Sequence, residues 1–174
     1  MIKNNVQEGI PSMNYSDKYS KYFSYDMMED VAETQADLFA WAEQQRYDMD
    51  SFIPLYLQSD FCNREMDAID SYFHWKTEAV LMSYLEAEQV FPKLLRPKDN
   101  KFFDVYWMGK MYRMLVFATG LSSREILGLV DSEAMNKYSI ALELKNIEDA
   151  VSQIVDDITI ARATINRNCS LQHL

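Results

Sequence analysis

Four glycines and four prolines are spread over 174 residues. Sheets reverse their chain every few residues, and the tight turns that do so draw heavily on these two residue types. A chain this poor in both is expected to fold as helices joined by short loops. Hydrophobic residues make up 48% and aromatics 13% of the chain, too much for a disordered acidic tail despite a formal charge of −10. The length fits one domain of roughly 100–200 residues. The expected fold class is all-α, a compact single-domain bundle of seven or eight helices.

The hydrophobic period divides the chain into a polar, tyrosine-rich N-terminal arm (1–25), a helical domain (26–165) and a C-terminus expected to fray (166–174). In the arm, Tyr15, Tyr19 and Tyr22 share one helical face, with Phe23 and Tyr25 beside them. No aliphatic stripe follows Ile10, so the arm must dock, either on its own body or on a partner. Asp26 with Glu29 has capping-box spacing and predicts a helix to about Tyr47, its stripe set by Val31, Gln35, Leu38, Phe39 and Ala42. Asp48 or Asp50 is expected to cap a short helix with Pro54 in its first turn. A short piece from Ser59 or Asp60 to Ile69 and a helix from about Trp75 to Glu88 follow.

Pro92 and Pro97 bracket an extended linker, since proline disfavours helix in the residue before it. Asp99 or Asn100 is expected to cap the most hydrophobic helix, Phe102 to Thr119, which Gly120 closes in the left-handed conformation. Ser122 with Glu125 forms a second capping box, Asp131 or Ser132 opens the next helix, and Asn146 caps the last. In that last helix the period runs through Val151, Ile154, Ile158, Ala161 and Ile165.

Charge is unevenly distributed. Residues 26–90 hold 15 acids against 3 bases, whereas 91–124 hold 7 bases against 2 acids. Asp26, Asp30, Glu33 and Asp37 follow one face of the first long helix. Such a face either meets water or steers a basic partner. It repels nucleic-acid phosphates, so direct nucleic-acid binding is not expected. Residues 120–145 have the outline of a helix-turn-helix, but the second helix sets Lys137 and Lys145 against Glu133 and Glu143, too neutral for a DNA groove.

Enzyme chemistry finds little footing. The two histidines are His74, within the aromatic run Tyr72-Phe-His-Trp75, and the penultimate His173. The glycines stand singly, so no phosphate-cradling loop exists, and no histidine follows Glu29 or Glu33 at metal-ligand spacing. A hydrolytic carboxylate pair stays open, with no particular pair indicated. Neither an enzyme nor a cofactor or metal site is the expectation. Cys62 and Cys169 read as free thiols of a reducing cytoplasm. Met1 to Ser12 lacks the apolar run of a signal peptide, and no stretch approaches the roughly 18 apolar residues of a membrane span.

The sharpest local signal is Tyr106-Trp-Met-Gly109-Lys110-Met-Tyr-Arg113. Tyr106, Gly109 and Arg113 share a helical face, and a mid-helix glycine costs about 1 kcal/mol relative to alanine. Close approach of a second helix would exploit that glycine, with a buried Arg113 then needing a carboxylate. The other reading makes Tyr106, Trp107, Lys110 and Arg113 the floor of a recognition groove, since Tyr, Trp and Arg dominate binding hot spots.

Ser51-Phe-Ile-Pro-Leu-Tyr-Leu-Gln-Ser-Asp60 with Met66-Asp67, and the Tyr106–Arg113 run with Ser122-Ser-Arg-Glu-Ile126, resemble a family of small helical bacterial proteins encoded beside toxin-like genes in toxin–antitoxin or phage-defence clusters. The likeness spans roughly residues 50–150. It implies a neutralising or regulatory protein whose partner is another protein. The expected function is thus an acidic antitoxin or immunity-type module that occludes a basic protein. The alternative is a phage-type inhibitor whose acidic helices imitate DNA on a nuclease. Candidate partner-binding residues are Asp30, Glu33, Asp37, Tyr106, Trp107, Lys110 and Arg113.

Overall fold

In a computed structural model, residues 14–95 and 101–171 are described, with side chains up to 163. Eight α-helices follow in order: α1 (Asp17–Ser20), α2 (Tyr25–Gln44), α3 (Met49–Gln58), α4 (Glu78–Glu88), α5 (Val105–Thr119), α6 (Ser123–Leu129), α7 (Ser132–Leu142) and α8 (Ile147–Leu171). A π-helical turn (Cys62–Met66) and a 3₁₀ turn (Tyr72–Trp75) link α3 to α4. The described residues contain no strand, and the all-α class expected from the glycine and proline count holds. No helix among them is long and apolar enough to cross a membrane. Residues 1–13, Pro97 to Asn100, the Cys169 side chain and His173 lie outside the described residues.

Helix α5 is the axis of the molecule. Every residue from Trp107 to Phe117 is buried, and α2 lies against it in the most extensive helix–helix contact. Gly109 makes that contact possible. A Cβ there would come within 2.9 Å of Phe39 Cγ, 3.0 Å of Ala36 Cα and 3.1 Å of the Gln35 carbonyl oxygen. Helices α1, α6, α7 and α8 also contact α5, while α3 and α4 pack against α2.

Caps explain where helices start, and several differ from the sequence expectation. Ser24, not Asp26, caps α2, its Oγ accepting from the Met27 amide at 3.3 Å. Asp26 sits instead in the first turn, where its charge favours the positive end of the helix dipole. Helix α2 stops at Gln44 because Arg46 turns left-handed (φ 66°) and Tyr47 folds back, its amide donating to the Ala42 carbonyl. Asp48 caps α3, which places Pro54 in the helix body and not in its first turn. The carbonyl of Asp50 there loses its usual i+4 donor. The start of α5 is Val105, not Phe102, and its cap is Asp104, whose Oδ1 accepts from the Trp107 amide at 2.8 Å. Trp75 closes the 3₁₀ turn, and α4 starts at Glu78.

Other expectations hold. Gly120 closes α5 at φ 75°, the Ser122–Glu125 capping box is complete, and Asp131 caps α7. Asn146 Oδ1 accepts from the Asp149 amide at the start of α8. The described part of the linker after α4, to Leu95, runs alongside the α2–α3 connection, with Asp48 donating to Pro92 and Leu94 to Arg46. The backbone of α8 continues helical to Leu171, past the expected end at 165; Ile158 is buried and Ala161 exposed, and the Ile165 side chain lies outside the described residues.

The described part of the arm docks on its own chain. Tyr19 is fully buried and Phe23 nearly so, both packed against Phe117. The Ser16 amide donates to the Phe117 carbonyl, and the Tyr19 hydroxyl to the Asp67 carbonyl at 2.8 Å.

Candidate protein-interaction surface

The Tyr106–Arg113 run faces mainly inward, which corrects the groove reading. Trp107 and Lys110 are each 8% exposed and Arg113 is fully buried, leaving Tyr106 alone at the surface. Arg113 is instead the centre of a core network. Its Nη1 donates to Asp67 Oδ1 at 2.6 Å and to the Met66 carbonyl at 3.0 Å. Its Nε and Nη2 both donate to Gln35 Oε1, at 3.1 and 2.8 Å, and Nη2 also reaches Ser123 Oγ at 3.2 Å. Burial alone would lower the Arg113 pKa, but the Asp67 carboxylate outweighs it and the group is held charged. Asp67 takes two further bonds, from the amide and hydroxyl of Ser123 at 2.7 and 2.6 Å. Gln35 closes the circuit by donating to the Gly109 carbonyl at 2.8 Å and accepting from Tyr56 at 3.0 Å. The π-helical turn carries Met66, and Asp67 follows it directly, which aims both groups at Arg113.

Lys110 is also committed inside the fold. Its Nζ bonds Glu29 at 3.0 Å and Glu33 at 3.1 Å, and although burial opposes its charge, the two carboxylates raise its pKa. Glu33 is therefore both exposed and tethered, whereas Asp30 and Asp37 point to solvent with no lysine or arginine in ion-pair range among the described residues.

The exposed acids of α2 border a second element that the period of the sequence does not reveal. Asp30, Glu33, Thr34 and Asp37 form one wall of an open cleft of about 390 Å³, and Trp75, Lys76, Thr77 and Glu78 form the other. Thr34 Oγ1 pins the two walls together by donating to the His74 carbonyl at 2.8 Å. Trp75 is 52% exposed there and its neighbour Tyr72 68%. The one basic side chain of the cleft, Lys76, turns away and sets its ammonium 3.5 Å over the Tyr72 ring. Partial burial, then Glu78 and Glu33, push the Asp37 carboxyl above its ordinary pKa. The cleft thus holds crowded carboxylates with no cation on Asp37 or Glu78 among the described residues.

Groups with catalytic potential are tied up structurally. The Nε2 of His74 faces the Met66 carbonyl at 3.1 Å, which can only accept, so that nitrogen carries the proton. Burial, then the Arg113 charge, lowers its pKa, and the ring packs against Phe23. Burial pushes the free Cys62 thiol up to about 11, far from a reactive thiolate. Among the described residues, no three His, Cys, Asp or Glu side chains converge to hold a metal ion.

Neither a protein-family model, nor a curated protein, nor a solved structure matches this chain.

Proposed function

We propose that the chain is a protein-binding module of the antitoxin or immunity type, which occludes a basic protein through the acidic face of α2. The observation that carries this reading is the cleft between α2 and the start of α4, where Asp30, Asp37 and Glu78 lie beside an exposed indole. Exposed aromatic anchors ringed by one sign of charge supply both affinity and steering to an oppositely charged surface. The other expectation, imitation of DNA on a nuclease, has less support. It needs an uninterrupted row of carboxylates, and Glu33 in the middle of the row is turned onto Lys110.

The test mixes the purified chain with the product of the neighbouring gene and follows co-elution on gel filtration. A complex is expected whose association rate falls by at least about 10-fold between low and high salt. Reversal of Asp30, Asp37 and Glu78 to lysine should abolish it while circular dichroism stays unchanged. Failure to form a complex at micromolar concentrations removes this reading.

A further inference from the structure

We propose that the cleft between α2 and α4 receives an arginine side chain of the partner, its guanidinium against the Trp75 indole and its N–H groups toward Asp37 and Glu78. This rests on the reading of the chain as a binder of basic proteins, and adds which cation is read and by which residue.

Three features point to arginine. The first is the wall chemistry, with Asp30, Glu33 and Asp37 on one wall and, on the other, Glu78 beside the exposed indole of Trp75. A planar guanidinium satisfies both walls at once, stacking on an aromatic face while bonding carboxylates in its own plane. The second is the behaviour of the cleft's own ammonium. Lys76 is close enough to line the cleft, yet its Nζ lies over Tyr72 and makes no ion pair with these acids. The third is the repulsion at Asp37, whose carboxyl feels Glu78 and Glu33 and, unlike Glu33, has no lysine or arginine in ion-pair range among the described residues. A cation placed there gains from all three carboxylates together.

The experiment uses the full chain and three otherwise identical short peptides bearing arginine, lysine or neutral citrulline at alternate positions. The indole N–H resonance of Trp75, assigned by its loss in Trp75→Phe, reports binding beside that indole, and the Asp37→Asn with Glu78→Gln variant separates this cleft from the cavity that Trp75 lines with Tyr22 and Met27. The arginine peptide should bind about 10-fold more tightly than the lysine peptide, with citrulline unbound. Trp75→Ala should erase that preference, read by calorimetry, while retaining weak binding of both charged peptides. Asp37→Asn with Glu78→Gln should weaken both by about 10-fold. Equal affinities for arginine and lysine, or a preference that survives Trp75→Ala, overturn the proposal. Absence of binding by every peptide also overturns it. Co-elution with the neighbouring gene product would in that case leave the broader reading standing, so the two failures are distinguishable.

Discussion

Arg113 and Asp67 illustrate how much one residue pair can decide. Both are buried, at 0% and 4% side-chain exposure, and each oxygen and nitrogen that faces the core has a partner. Removing one partner strands the other charge. Asp67→Asn is expected to cost about 3–5 kcal/mol, measured as a fall in the urea midpoint at constant slope. His74 gives a pH signature. Its folded pKa lies below the 6.5 of an unperturbed imidazole, so the unfolded chain takes up the proton first. Stability is therefore fully present above that value and declines as pH falls toward the folded pKa. His74→Gln keeps an N–H for Met66 but cannot titrate, and should show a flatter stability profile between pH 7 and 5. Sequence reasoning could see that Arg113 needs a carboxylate if buried. It could not see that Asp67 supplies it, because the pair is brought together across 46 residues by an irregular π-helical turn.

Gly109 inside α5 and Gly128 in the last turn of α6 make opposite predictions for the same change. Gly109→Ala drives a methyl into Ala36 and Phe39 of α2, with backbone on one side and a ring root on the other. Overpacking of about 1–3 kcal/mol offsets or exceeds the roughly 1 kcal/mol gain in helix propensity, for a net loss of up to about 2 kcal/mol in chemical denaturation. Gly128 in α6 meets nothing within 4 Å, so Gly128→Ala should stabilise by about 0.5–1 kcal/mol. Helices themselves were legible because their period and most of their caps are local. The missed boundaries have local causes of another kind. Ser24 competes with Asp26 for one helix start, Arg46 adopts a left-handed turn without being glycine, and Trp75 ends a 3₁₀ turn where the stripe of α4 seemed to begin. With that boundary shifted, Trp75 closes a 3₁₀ turn and Glu78 opens α4, and both line the candidate cleft beside α2.

At the scale of the molecule, the acidic stretch 26–90, with 15 acids and 3 bases, repels itself in the folded state. Raising sodium chloride from about 50 to 500 mM shortens the screening length from over 10 Å to a few ångströms. The urea midpoint should therefore rise with salt, and rise less in Asp30→Asn/Asp37→Asn. A midpoint that falls with salt would mean that ion pairs dominate the surface. Sequence composition announced this imbalance, and the α2 row of acids with it. The pairing of Glu29 and Glu33 with Lys110 was beyond it, because it depends on how two helices cross.

The contacts of Ser16 and Tyr19 also set an order of events during synthesis. Their backbone and hydroxyl partners are Phe117 and Asp67. Tyr19 must wait until Phe117, about 100 residues later in the chain, has been made before it finds its seat. Until then Tyr19 and Phe23 travel uncovered on a nascent chain that cannot yet close, a natural foothold for a chaperone and a point at which stalled translation would leave the product sticky.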